Sequence, residues 1–114
     1  MRIYEYDPQE IGELLPFRNA MFEQVSEDHW RAMNCTGVVA REGDQLVGFI
    51  PLQYREQRLN ARVTIPVAYE NAVGVTEGKR GQGIGTWMID KAARFMSDRV
   101  DALMVVREGE QSEG

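Results

Sequence analysis

The chain has 114 residues, the length of one small domain rather than two. Its 43% hydrophobic and 27% charged content excludes a disordered or fibrous chain, and its lone cysteine, Cys35, excludes an internal disulfide or a cysteine metal cluster. A net charge of −5 argues against general affinity for nucleic acid, and no apolar run approaches the ~20 residues of a membrane span. The start, Met1 to Pro8, lacks the apolar core of a secretion signal. The expectation is a single cytoplasmic domain over residues 1–114, with no nucleic-acid or membrane partner.

Arg2 to Tyr6 alternates and predicts a first strand. Asp7, Pro8 and Glu10 then supply a cap, a proline suited to the first helical position and an acid three residues after the cap. Ile11, Leu14, Leu15, Phe17 or Arg18, Met21, Phe22 and Val25 recur at helical spacing. Pro16 interrupts them, which predicts a kink or two helices in succession. A further helical turn includes His29, Trp30 and Met33.

From Thr36 the period becomes two. Thr36 to Arg41 predicts a strand, Glu42-Gly43-Asp44 a turn, and Gln45 to about Arg55 its hairpin partner. Apolar residues of both parities in the partner predict a sheet covered on both faces. Pro51 and Pro66 each remove a ladder donor, so bulges or unpaired positions are expected there. Glu56 to Arg62 is a charged connection, and Val63 to Thr76 predicts one long strand. On that strand Ala68, Glu70, Ala72 and Gly74 share a face of mostly small residues, thin enough for a ligand to approach the backbone. Gly83 to about Asp98 predicts an amphipathic helix with Ile84, Trp87, Met88, Ala92, Phe95 and Met96 on its apolar side. Ala102 to Arg107 is a last strand, followed by a polar, frayed tail from Glu108 to Gly114. The order is β-α-α-β-β-β-α-β, an α+β fold with a mixed, mostly antiparallel sheet flanked by helices.

The stretch Val73 to Gly85 runs from a strand through glycines into a helix. Gly81, Gly83 and Gly85 permit tight turns and bare their amides. The first amides of the next helix lack internal acceptors, and the helix dipole adds positive character. Lys79 and Arg80 add formal charge, so the loop suits a pyrophosphate. A P-loop wants Lys-Ser or Lys-Thr directly after its last glycine, whereas Thr86-Trp87 follows Gly85. A dinucleotide fingerprint wants a third glycine where Thr86 stands, within a parallel βαβ unit. Neither fits.

Arg80-Gly-Gln-Gly-Ile-Gly85 resembles the Arg/Gln-x-x-Gly-x-Gly/Ala signature of the GNAT superfamily of acyl-CoA-dependent N-acyltransferases. The hairpin Val38 to Leu52 is similar to that family's second and third strands. Glu77 departs from the pattern, because the family commonly has proline there. The resemblance implies an acetyl group passing from acetyl-CoA to an amine by direct attack on the thioester. It further implies that the coenzyme A pyrophosphate meets the backbone of Arg80, Gly81, Gln82, Gly83, Ile84, Gly85 and Thr86; Lys79 joins this candidate site by its charge, and no metal is expected. The pantetheine arm would meet main-chain groups of Val73 and Val75, and the amide of Val75 or a neighbour would face the oxyanion. The family domain usually continues with one more helix and two more strands, so the chain is similar to its N-terminal, cofactor-binding part. A non-catalytic acyl-CoA-binding or protein-interaction module is the alternative.

Amine attack needs a proton acceptor, for which Glu70 is the candidate, set against a glutamate on a partly solvated strand face. Trp30, Met33 and Tyr54 are candidates to line an acceptor pocket. His29 is expected to be solvated or packed, and Cys35 a small apolar filler at a strand start. The apolar last strand, Ala102 to Val106, predicts edge pairing with a second copy, most simply a homodimer.

Overall fold

The computed structural model describes residues 1–70 and 72–105. Its elements are β1 (Arg2–Glu5), α1 (Ile11–Met21), α2 (Glu27–Ala32), β2 (Cys35–Glu42) and β3 (Gln45–Arg58), then β4 (Thr64–Glu70), β5 (Gly74–Val75), α3 (Ile84–Met96) and β6 (Ala102–Val105). One sheet holds the six strands in the order β1-β2-β3-β4-β6, with β5 pairing β3 beside β4. β6 lies parallel to β4, and the other pairings are antiparallel. The α+β class agrees with the sequence, and so does the element order apart from one extra strand, β5. No helix among the described residues is long and apolar enough to cross a membrane.

Asp7 caps the N-terminal helical turn as predicted. Its carboxylate accepts from the Gln9 amide at 2.9 Å, while Glu10 accepts from the Asp7 amide at 2.8 Å. Pro16 does not divide the helix. The carbonyl it deprives belongs to Gly12, an exposed residue whose backbone water can serve, so α1 runs through. The division falls at 22–26 instead, where Phe22 turns extended and Ser26 caps α2 by accepting from the His29 amide.

The sheet is covered on both faces. Ile84, Met88, Ala92 and Met96 of α3 pack on Val38, Ala40, Val47, Ile50, Leu52 and Ala68. Ile11, Leu14 and Trp30 pack with Tyr6, Val39 and Phe49 on the other side. Trp87, expected on the apolar side of α3, is 53% exposed. The buried stripe repeats every fourth residue, and Trp87 lies about 100° around the helix from Met88.

The predicted long strand from Val63 to Thr76 is two strands. Leu52 faces Glu70 and Phe49 faces Gly74, so three steps of β3 oppose four of its neighbour. One extra residue reverses which side chain faces which way. Ala68 and Glu70 therefore face α3, whereas Ala72 and Gly74 face α1 and α2. The thin face is not a ligand channel at Gly74. A Cβ there would lie 2.5 Å from Met21 Sδ and 3.0 Å from a Phe22 ring carbon, so α1 fills that space. Pro51 accounts for part of this break. Tyr54 donates to Asn34 O, so by ladder alternation the ring nitrogen of Pro51 faces the break rather than β2. Pro66, by contrast, keeps continuous register with Glu56.

β6 is the edge of the sheet among the described residues. The remainder of its predicted length, to Arg107, and the polar tail lie outside the described residues.

Candidate active site

The glycine loop leaves β5 with its backbone already oriented. Thr76 donates to Val47 O at 2.9 Å, so alternation directs the Val75 amide away from β3. The Val75 carbonyl accepts from Arg80 Nε at 3.0 Å, which folds the loop back on the strand. Gly81 and Gly83 have φ of 82° and 80°, a region that side chains resist. Gly83 caps α3 with no side-chain hydrogen bond, leaving the helix's first amides without a side-chain acceptor. A Cβ at Gly78, Gly81 or Gly83 would meet nothing within 4 Å, so the loop forms an open row of amides. Gly85 acts differently: its Cβ would lie 3.3 Å from Val73 Cγ1, so it lets α3 approach the strand.

Gln82 and Thr86 are exposed beside this row, while Ile84 is buried and offers only its backbone. Lys79 is paired with Glu42 at the end of β2, and this ion pair holds the Glu42 carboxyl below its usual range. The two cations that share the loop are thus already engaged with protein acceptors, Arg80 through Nε alone. The open amides and the helix start fit a pyrophosphate on the geometry alone.

Glu70, the last residue of β4, stands in register with Leu52 and Val105 and is 1% exposed. It is buried on the α3 face, not partly solvated. Directly across the break, on the opposite face, is a cavity of about 220 Å³. Arg18, Phe22, Glu23, Trp30, Phe49, Pro51, Tyr69 and Ala72 line it, together with Met33 and Cys35. Trp30 and Met33 are thus among the lining residues. Tyr54 does not line this one; it joins Trp30 and Met33 around a neighbouring cavity of about 370 Å³, with Glu5, Tyr6 and Arg31.

Side chains of α1 shape the cavity wall. Asn19 accepts from the Val25 amide at 3.1 Å and donates to the Val25 carbonyl at 2.9 Å, which pins the 22–26 connection. Arg18 Nη1 donates to Glu23 O at 2.6 Å and to Asn19 Oδ1 at 3.0 Å. Its guanidinium lies 5.7 Å from the centre of the Trp30 ring. Desolvation by burial lowers the Arg18 pKa, yet a guanidinium stays charged. Trp30 Nε1 donates to the Tyr6 hydroxyl at 2.9 Å, and that oxygen is 3.9 Å from Cys35 Sγ. Burial pushes both the Tyr6 hydroxyl and the Cys35 thiol up, so Cys35 carries its proton at neutral pH and is not a nucleophile. His29 is exposed, and no group of metal-ligating side chains occurs among the described residues.

The sequence reading missed Arg18 and Glu23. Arg18 stood in the helical pattern as an alternative to an apolar neighbour, and only the return of 22–26 over it reveals its burial.

The fold is similar to the ribosomal-protein-alanine N-acetyltransferase from Brucella melitensis biovar Abortus 2308, with 18% identity and a TM-score of 0.74 over 94% of this chain and 80% of that one. It is similar to aminoglycoside antibiotic 6'-N-acetyltransferase AAC(6')-IG from Acinetobacter haemolyticus, with 16% identity and a TM-score of 0.70 over 94% and 79%. The aminoglycoside N-acetyltransferase AAC(6')-Iy, solved with CoA, aligns at 15% identity and a TM-score of 0.74 over 98% and 81%. No curated protein sequence matches significantly. Residues 4–112 match the acetyltransferase (GNAT) family model. The chain therefore belongs to the GNAT acetyltransferase family and is an acyltransferase, in agreement with the resemblance carried by Arg80 to Gly85.

Proposed function

We propose that the chain transfers an acetyl group from acetyl-CoA to an amine, and that the two substrates meet at the break between β4 and β5. The observation that carries this reading is the break itself. Within it the Val75 amide turns away from β3, and beyond it, at the start of α3, stands the open row of glycine amides. On its other side lies the aromatic cavity, with Pro51, Tyr69 and Ala72 at the shared boundary. A neighbour of the same fold solved with CoA supports the cosubstrate.

In this reading the amides from Arg80 to Thr86 hold the pyrophosphate, and the main chain of Val73 and Val75 guides the arm to the break. The cosubstrate supplies an acetyl thioester. The Val75 amide donates to the carbonyl oxygen as negative charge develops there. The neutral amine nitrogen forms the new C–N bond, the C–S bond breaks, and the thiolate leaves. Glu70, at the end of β4, accepts the proton that the amine loses, through water in the break. Glu23 is the carboxylate that lines the cavity itself, and it is the comparison on which the Glu70 assignment is tested.

The test is thiol release from acetyl-CoA with a panel of primary amines, alongside calorimetry of acetyl-CoA alone. Amine-dependent release supports transfer. Saturable binding without release by any amine overturns it in favour of a non-catalytic acyl-CoA-binding module. The free thiol of Cys35 fits a reducing compartment, and we place the chain in the cytoplasm. The position of β6 at the sheet edge among the described residues supports a homodimer formed by strand pairing, which a concentration series in sedimentation checks.

A further inference from the structure

We propose that Arg18 binds a carboxylate on the acceptor, so that the amine acetylated is a small amino-acid-like zwitterion rather than a polycation. This rests on the transfer reading above and deepens it. Arg18 is 9% exposed, and Nη1 alone makes its hydrogen bonds, both to neutral oxygens. Among the described residues Nε and Nη2 have no hydrogen-bond partner, and no carboxylate lies within 4 Å of the guanidinium. A largely buried charge whose hydrogen bonds go only to neutral oxygens, with the Glu23 carboxylate acting on it beyond ion-pair distance, is costly, and an incoming carboxylate offsets that cost by taking two parallel N–H bonds.

The rest of the cavity argues for the same class. Phe22, Trp30, Phe49 and Tyr69 give apolar walls, and the Trp30 ring lies within cation–π range of the guanidinium. At about 220 Å³ the space is below the roughly 300–1,000 Å³ of pockets for drug-sized ligands, which suits a molecule near the size of one amino acid. Glu23, exposed at the rim, is the carboxylate available to attract the ammonium end. A polycationic amine would bring further positive charges against a buried arginine. The cavity disfavours it.

The experiment uses the whole chain with phenylalanine, leucine and methionine, each matched to the amine that lacks its carboxylate, and kanamycin as the polycation. Binding is followed by calorimetry and saturation-transfer NMR, with and without acetyl-CoA. The expected result is that the amino acids bind about tenfold to a hundredfold more tightly than their decarboxylated partners. Arg18→Gln should erase that preference while acetyl-CoA affinity stays unchanged, and Arg18→Lys should keep part of it. The wild-type pairs decide the matter even if the glutamine variant folds poorly. Equal binding within each pair, a preference for kanamycin, or a preference that survives in Arg18→Gln overturns the proposal. So does binding of acetyl-CoA with none of the amino acids, an outcome that leaves acetyl transfer standing. An Arg18-dependent preference without acetyl-CoA binding supports the carboxylate site and overturns the transfer reading instead.

Discussion

On the α3 side the sheet meets Ile84, Met88, Ala92 and Met96, and no fully buried member of that core is aromatic. On the α1–α2 side Tyr6, Trp30 and Phe49 interlock, their ring centres 5.5 to 6.0 Å apart. The aliphatic side presents backbone amides at Gly81, Gly83 and Val75. Rigid rings on the aromatic side cannot fill every corner, and they leave a cavity whose chemistry is carried by Arg18, Glu23 and Tyr69. In the reading proposed above, one face holds the group common to all reactions of this kind. The other selects.

The sharpest test of that division is Phe49→Ala. Phe49 is 2% exposed and touches the Tyr6, Phe22 and Trp30 rings, so its loss should destabilise by about 3–5 kcal/mol in urea unfolding. Acetyl-CoA affinity of the folded fraction should not change. A stability loss under about 1 kcal/mol would mean that the rings are not a cooperative unit.

Next in size is the proton acceptor. Glu70→Gln should slow turnover by about a hundredfold or more, equivalent to about 2.7 kcal/mol, with little change in acetyl-CoA affinity. The loss should be greatest at low pH, where free amine is scarce, and should shrink as pH rises. Glu23→Gln, on the selecting face, should alter acceptor KM instead. If the pH–rate profile changes only in Glu23→Gln, the proton acceptor is on the cavity side and Glu70 is structural.

Gly83→Val is milder for the fold and more selective. Its positive φ imposes about 1–2 kcal/mol of backbone strain on a side chain, although nothing lies in the way of one. Acetyl-CoA binding should be lost because the valine stands over the amides. Gly78→Ala, whose Cβ also meets open space, should leave stability unchanged. Wild-type acetyl-CoA affinity in Gly83→Val would remove the loop from the site.

These two faces were unequally legible in the sequence. The loop was readable because its requirement is local: Gly81 and Gly83 occupy backbone conformations that their own residue type announces. The break was not, since the residues from Val63 to Thr76 satisfy a period of two whether or not one residue is extra. Pro51 was a signal for it, but it lies on the opposing strand, and nothing local says which partner the missing donor faces. Glu70 consequently moved from the small-residue face to the α3 core. The cavity was the least legible, because Arg18, Phe49 and Tyr69 meet only after α1 and the 22–26 connection fold over the sheet.

The smallest expected effect lies where the two faces are tied together at the sheet end. Both carboxylate oxygens of Glu5 on β1 accept from Arg99, beyond α3, at 2.7 Å. Thr36 adds a bond to Glu5 at 2.6 Å, and Arg99 also donates to the Tyr54 hydroxyl at 3.3 Å. The Arg99 hydrogen bonds lower the Glu5 pKa first, against an opposing contribution from burial, and Thr36 lowers it further. A depressed carboxylate pKa adds stability above the unfolded value, roughly pH 4.3, and that stability is lost as pH falls through the lower folded value. Arg99 side-chain exposure is 44%, so solvent screening holds the pair to about 0.2–1 kcal/mol. Arg99→Gln should therefore cost that amount at pH 7 and progressively less below about pH 4, in urea unfolding at each pH. A difference that stays the same from pH 7 to pH 3 would show that Arg99 acts by packing, not by holding the Glu5 charge.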